Sequence, residues 1–211
     1  MKIRFHQRFP LLAVLAFALL LAAPVAQAMK LRNQNLTQLI SDSQSIIFGT
    51  VTRVTDGIDS NNVPYTEITI SVGSKLKGQQ AEGSDYTFRQ FGLLKPKSDG
   101  KGRLMVALAP EGFPRWHEGE TVLAFLREPA KLTGLQTTAG VAQGKLSLVN
   151  DTLRNDFNNV GLFDDVEIVD SVLTDEHRNM LLQPGAVDAS TFIDLVGRAV
   201  NGNWIESGEM K

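Results

Sequence analysis

His117 and His177 are the two histidines beyond the N-terminal leader pattern, and they stand far apart in the chain. His117 is followed by Glu118, Gly119 and Glu120. A helical two-histidine zinc site needs a second His four positions on, and none is there. His117 therefore reads as a loop polar group, and His177, inside Asp175-Glu176-His177-Arg178, as helix-surface charge. No G-x-S-x-G elbow marks a nucleophilic serine, and no phosphate-cradling glycine pattern occurs. The sequence has no cysteine, so thiol catalysis, thiolate metal sites and disulfides are excluded together.

One acidic stretch comes close to a cation loop. Asp156, Asn158, Gly161, Asp164 and Glu167 fall at positions 1, 3, 6, 9 and 12 of a twelve-residue calcium loop. Position 5 is Val160, which offers no side-chain oxygen, and no convincing helix precedes the loop. A plain acidic turn is the expectation, with no metal and no cofactor. The Asp56, Asp59 and Asn61 turn is a weaker version of the same pattern. Recognition rather than reaction is suggested by Phe113, Trp116 and His117, which share a turn-rich segment. A loop tryptophan either anchors a partner, as aromatics do at interface centres, or plugs the end of the fold. The three residues are the candidate partner contact; no catalytic or metal residue is assigned.

These residues need elements to hold them. Leu36, Leu39 and Ile40 after Asn35 have helical spacing. Residues 45–54 are β-branched and alternate after Gly49, which suggests a bulge or bend within a strand. Thr66, Ile68 and Ile70 alternate with Tyr65, Glu67 and Thr69, as on a strand with one buried face. Residues 86–92 continue the alternation. Residues 92–102 are rich in Lys, Gly and Pro and read as an exposed loop. Short strands are expected at 103–108, 121–126, within 134–144, and at 145–149. Short strands between regular turns mean an antiparallel sandwich or barrel. After Asn150 the pattern changes. Residues 151–165 are polar, and 167–173 suit a late strand or a helix start. Thr174 can cap a helix ending before Pro184. Asp188 or Ser190 can cap a second helix, with Phe192, Leu195, Val196 and Val200 on one stripe. Trp204 is expected to pack the last helix.

Composition bounds the setting. Lys2, Arg4 and Arg8 precede an apolar run from Leu11 to Leu21, and Ala26 and Ala28 put small residues before a cut after Ala28. That is a secretory signal peptide, residues 1–28, and Pro24 breaks the run before it reaches spanning length. The expected product begins at Met29, is exported to the periplasm or medium, and has no later transmembrane segment. Residues 29–150 hold 14 basic and 11 acidic side chains, and residues 151–211 hold 4 and 12. The cations are scattered without aromatic interleaving, so no nucleic-acid partner is expected.

Taken in order, the segments LTQLISDSQSIIFGTVTRV, YTEITISVGSKLKG, YTFRQFG, FPRWHEGETVLAFL and GVAQGKLSLVND resemble a group of exported bacterial domains of unassigned function. That group is similar in strand layout to the OB barrel of netrin and of the tissue inhibitors of metalloproteinases. The likeness covers about residues 36–150 and rests on turn glycines and core apolars at 45–54, 70–78, 89–92, 116–126 and 140–149. A closing helix like 190–200 is common in the group. The resemblance implies fold and carries no catalytic residues. Its inhibitor branch blocks a catalytic zinc with an N-terminal cysteine, which this chain lacks.

The expected architecture is mainly β: a five-to-seven-stranded antiparallel OB-like barrel or sandwich over 29–150, with an N-terminal helix. An acidic, partly helical extension over 151–211, with two helices, is expected to pack on it. The expected role is an exported, non-catalytic binding or structural module whose partner is a protein or envelope component. The alternatives are a hydrolase with an unrecognised site, or an inhibitor of exported proteases.

Overall fold

The computed structural model describes residues 33–98 and 102–211. The leader expected over residues 1–28 and its cut after Ala28 lie outside them.

Asn35 caps the first helix, α1 (Leu36–Asp42), by accepting from the Gln38 amide at 3.0 Å, while the Gln38 side chain accepts from the Asn35 amide. This reciprocal box satisfies two of the orphan donors of a helix start. The chain then forms two 14-residue strands, β1 (Ser45–Ile58) and β2 (Pro64–Lys77), paired antiparallel with three register shifts. One shift falls at Phe48/Gly49. A Cβ on Gly49 would lie 2.3 Å from the Ser71 carbonyl oxygen, so only glycine allows the strands to approach there. β3 (Asp85–Phe91) extends the sheet beyond β2, and β6 (Thr121–Leu126) lies against β1 on the other side. β4 (Lys97–Ser98) and β5 (Leu104–Met105) pair only with each other. β7 (Lys145–Val149), β8 (Thr152–Arg154) and β9 (Val187–Asp188) complete the order β3-β2-β1-β6-β7-β8-β9.

The sheet is open among the described residues, with β3 and β9 at its margins, so the expected closed barrel is not what forms. A single backbone hydrogen bond, from the Gln136 amide to the Arg89 carbonyl at 2.7 Å, touches the outer side of β3. It does not extend into a ladder. Residues 134–144, expected as strand, form turns and a 3-10 helix (Val141–Gly144), with one bridging position at Thr138. Gly134 and Gly140, and Val141 beside it, all have left-handed φ, which extended strands do not tolerate.

β6 is buried on both faces and divides the interior. Leu123 and Phe125 join a core shared with α1 and the C-terminal helices. Val122, Ala124 and Leu126 join a second core with Ile47, Val51, Ile68, Ile70, Phe88 and Trp116. Asn150 and Asp151, with φ of 49° and 61°, make the two-residue turn between β7 and β8, the left-handed geometry that matches strand twist. The sheet therefore continues across residue 150. Three helices follow it rather than two: α2 (Asp175–Leu181), α3 (Ala189–Asn201) and the short α4 (Trp204–Ser207). The buried side of α3 carries Phe192, Leu195, Val196 and Ala199, with Val200 at its margin.

Candidate binding site

Trp116 is buried in the second core. Its ring meets Phe88 edge-on at 5.4 Å between centroids, and its Nε1 donates to Gln90 Oε1 at 3.2 Å. The Gln90 amide donates in turn to the Pro114 carbonyl at 3.1 Å. Gln90 is buried on β3, and both ends of its side chain fix the 113–117 segment. Trp116 is 5% exposed.

Lys145 closes the other side. At the start of β7, with its side chain 5% exposed, it lies with Nζ 5.4 Å from the Trp116 ring centre. Nζ donates to the Arg115 carbonyl at 2.6 Å and to Glu120 Oε2 at 2.8 Å. The other Glu120 oxygen accepts from the His117 amide at 2.8 Å. A buried ammonium is tolerable when paired and hydrogen-bonded in this way. Nearby, the Tyr86 hydroxyl donates to Gln136 Oε1 at 2.8 Å. Burial pushes the Tyr86 hydroxyl above its ordinary pKa, against the opposing effect of that hydrogen bond.

Of the three sequence candidates, Trp116 is thus interior, Phe113 is half-buried, and the His117 side chain is 73% exposed. The structure brings them onto one loop but gives only the latter two to solvent. Lys145, Glu120 and Gln90 were not legible as partners. They come from separate strands and turns, and a lone lysine after Gly144 carries no pairing signal.

The acidic segment is held by asparagines. Asn155 Oδ1 accepts from the amides of Phe157 at 3.0 Å and Asn159 at 2.9 Å, and Asn159 Nδ2 donates to the carbonyls of Leu153 and Gly185, both at 2.9 Å. Among the described residues, no group of three or more His, Asp or Glu side chains is placed to hold a metal ion. His177 is corrected from surface charge to a buried joint. Its Nδ1 accepts from the Thr174 amide at 3.3 Å, completing the α2 cap, and its Nε2 stands 3.1 Å from the Asp194 carboxylate of α3.

A different surface stands out for exposure. Leu104, Val106 and Leu108 alternate outward on one extended stretch, while Met105 and Ala107 are half-buried. Leu104 and Val106 are 64% and 60% exposed, and neighbouring Leu94 is also exposed. The stretch is anchored beneath by Leu93, whose amide donates to the Ala107 carbonyl at 2.8 Å. Asp56 anchors it at the side, accepting from the Leu94 amide at 2.9 Å and pairing with Lys97 Nζ at 2.6 Å. The uninterrupted apolar run 104–109 was readable as a sequence, but a strand apolar on both faces is expected to be covered on both. Here one face is bare.

Fold and surface together define a mainly β, cysteine-free protein on an open seven-stranded antiparallel sheet backed by helices. No protein-family model, curated protein or solved structure matches the chain.

Proposed function

We propose that the protein is exported and works in the cell envelope or medium as a non-catalytic binding or structural module, docking through the apolar ridge Leu94, Leu104, Val106 and Leu108. The observation that carries this is the ridge itself. Leu94, Leu104, Val106 and Leu108 are all exposed on neighbouring stretches, and grouped apolar exposure is where interaction sites are found. The leader pattern of residues 1–28 supports export, and the β3-β2-β1 meander with β6 on the far side of β1 supports an OB-like strand layout in an open sheet.

A second reading has one observation in its favour. Lys145 and the His117 Nδ1, at 2.8 and 3.9 Å, share the Glu120 carboxylate, so three titratable groups meet at one point. A hydrolase built there would lose turnover on Lys145→Met. The test compares binding to envelope fractions by the wild-type protein and by a Leu104→Glu/Val106→Glu variant. Binding lost with an unchanged unfolding midpoint is expected. Binding retained by the variant, or a turnover abolished by His117→Ala, would overturn the reading.

A further inference from the structure

Lys145 is the buried lysine among the described residues, and its nitrogen lies against one carboxylate. Nζ stands 2.8 Å from Glu120 Oε2, and the two side chains are 5% and 17% exposed. The Arg115 carbonyl, accepting at 2.6 Å, holds the nitrogen from a second side, and the Trp116 ring centre lies 5.4 Å from it. Two further groups converge on the same carboxylate. The His117 amide donates to Oε1 at 2.8 Å, and His117 Nδ1 stands 3.9 Å from Oε2. A buried ion pair needs only the nitrogen, the carboxylate and hydrogen bonds to complete them. A fixed donor on one carboxylate oxygen and a titratable ring beside the other are the parts that acyl transfer requires.

We propose that the folded protein joins Lys145 to Glu120 through a side-chain amide bond, with loss of one water. The Lys145 ammonium first passes a proton to Oε2 along their hydrogen bond, leaving a neutral amine beside a carboxylic acid. Nζ then attacks the carboxyl carbon, and the negative charge that develops on Oε1 is met by the His117 amide. The His117 ring takes a second proton from the nitrogen and delivers it to Oε2, which leaves as water when its bond to carbon breaks. The ring is 73% exposed and near enough to Oε2 for one water to bridge them. The third proton stays on the amide nitrogen. Ammonium and carboxylate together hold the atoms of an amide and a water, so no oxidant, nucleotide or other co-reactant enters. Two things favour the step. The fold presents the reacting groups already in contact, and the product is uncharged, which removes two costly charges from the interior. The bond ties the Trp116 loop to β7 across 25 positions of chain. A cross-link of that kind constrains the unfolded chain as a disulfide does, and a chain without cysteine has no disulfide to do it. The reaction occurs once in each molecule and stands independently of the docking role proposed for the ridge.

Intact-mass spectrometry of the purified protein, with its N-terminal residue read by sequencing, tests this directly. The wild-type mass should fall one water below that of its sequence, and a proteolytic digest should contain a branched peptide joining Lys145 to Glu120. Lys145→Arg keeps a cation beside Glu120 but offers no amine, so it should show the full sequence mass. His117→Ala changes an exposed side chain, and its bonded fraction, followed over time after synthesis, should grow about 100-fold more slowly than that of wild type. A wild-type protein of full sequence mass after incubation at neutral pH overturns the proposal, whether or not either variant folds. A water loss that persists in Lys145→Arg also overturns it, since the loss then arises elsewhere in the chain. So does a His117→Ala protein that gains the bond at the wild-type rate.

Discussion

At the scale of residues, Trp116 is held by what surrounds it. Replacing it with Phe keeps a ring beside Phe88 but leaves the buried Gln90 oxygen without its donor. An unsatisfied buried acceptor costs about 1–3 kcal/mol. Trp116→Ala removes the ring as well and should cost about 3–5 kcal/mol. Urea unfolding of the two variants measures both. Midpoints unmoved by either change would return Trp116 to the role of a surface anchor. Asp56 gives a pH signature. Burial works against its charge, but hydrogen bonds from Lys97 and from the Leu94 and Lys95 amides outweigh that and hold its carboxyl below the ordinary range. A lowered folded-state value means stability that is fully present above the ordinary carboxylate pKa, about 4. It is lost as pH falls through the lowered value. Asp56→Asn should therefore be least stable relative to wild type at neutral pH, with the gap closing in acid. A gap that stays constant down to pH 3 would contradict the pairing. Sequence spacing placed Trp116 on a turn but could not show its burial. The partners that bury it, Gln90 and Lys145, are brought together only by strand pairing.

At the scale of elements, local signals were strongest where the backbone chemistry is local. The helices after Asn35 and Asp188 bury the expected stripes, and Thr174 caps α2 as expected, because capping needs only a side chain and an amide three residues on. Gly49 marked a bulge for the same reason: a missing Cβ is visible in sequence. The 134–144 segment misled because its small and polar residues alternate like a strand, while its left-handed glycines turn the chain. His177 misled because its neighbours Asp175, Glu176 and Arg178 are charged. Only the α2–α3 packing shows that the imidazole turns inward.

At the scale of the whole molecule, closure was the feature that could not be read. Alternation fixes which faces are buried, but not whether the first and last strands of a sheet meet. Here the sheet continues past β6 into β7, β8 and β9, and the C-terminal helices cover the core that this creates. The α3 stripe belongs to that core, with Phe192, Leu195 and Val196 fully buried. Leu195→Ala should cost about 2–5 kcal/mol and lower one cooperative transition of the described fold. Melting in two steps would instead separate the helical end from the sheet.

Partners are expected to meet the protein at the bare apolar ridge and not at the Trp116 loop. The direct measurement is photo-crosslinking in cells, with the probe placed at Val106 in one experiment and at Phe113 in another. Adducts of defined mass are expected from Val106 and none from Phe113. Adducts from Phe113 alone, or no adduct from Val106 in cells that export the protein, would contradict this.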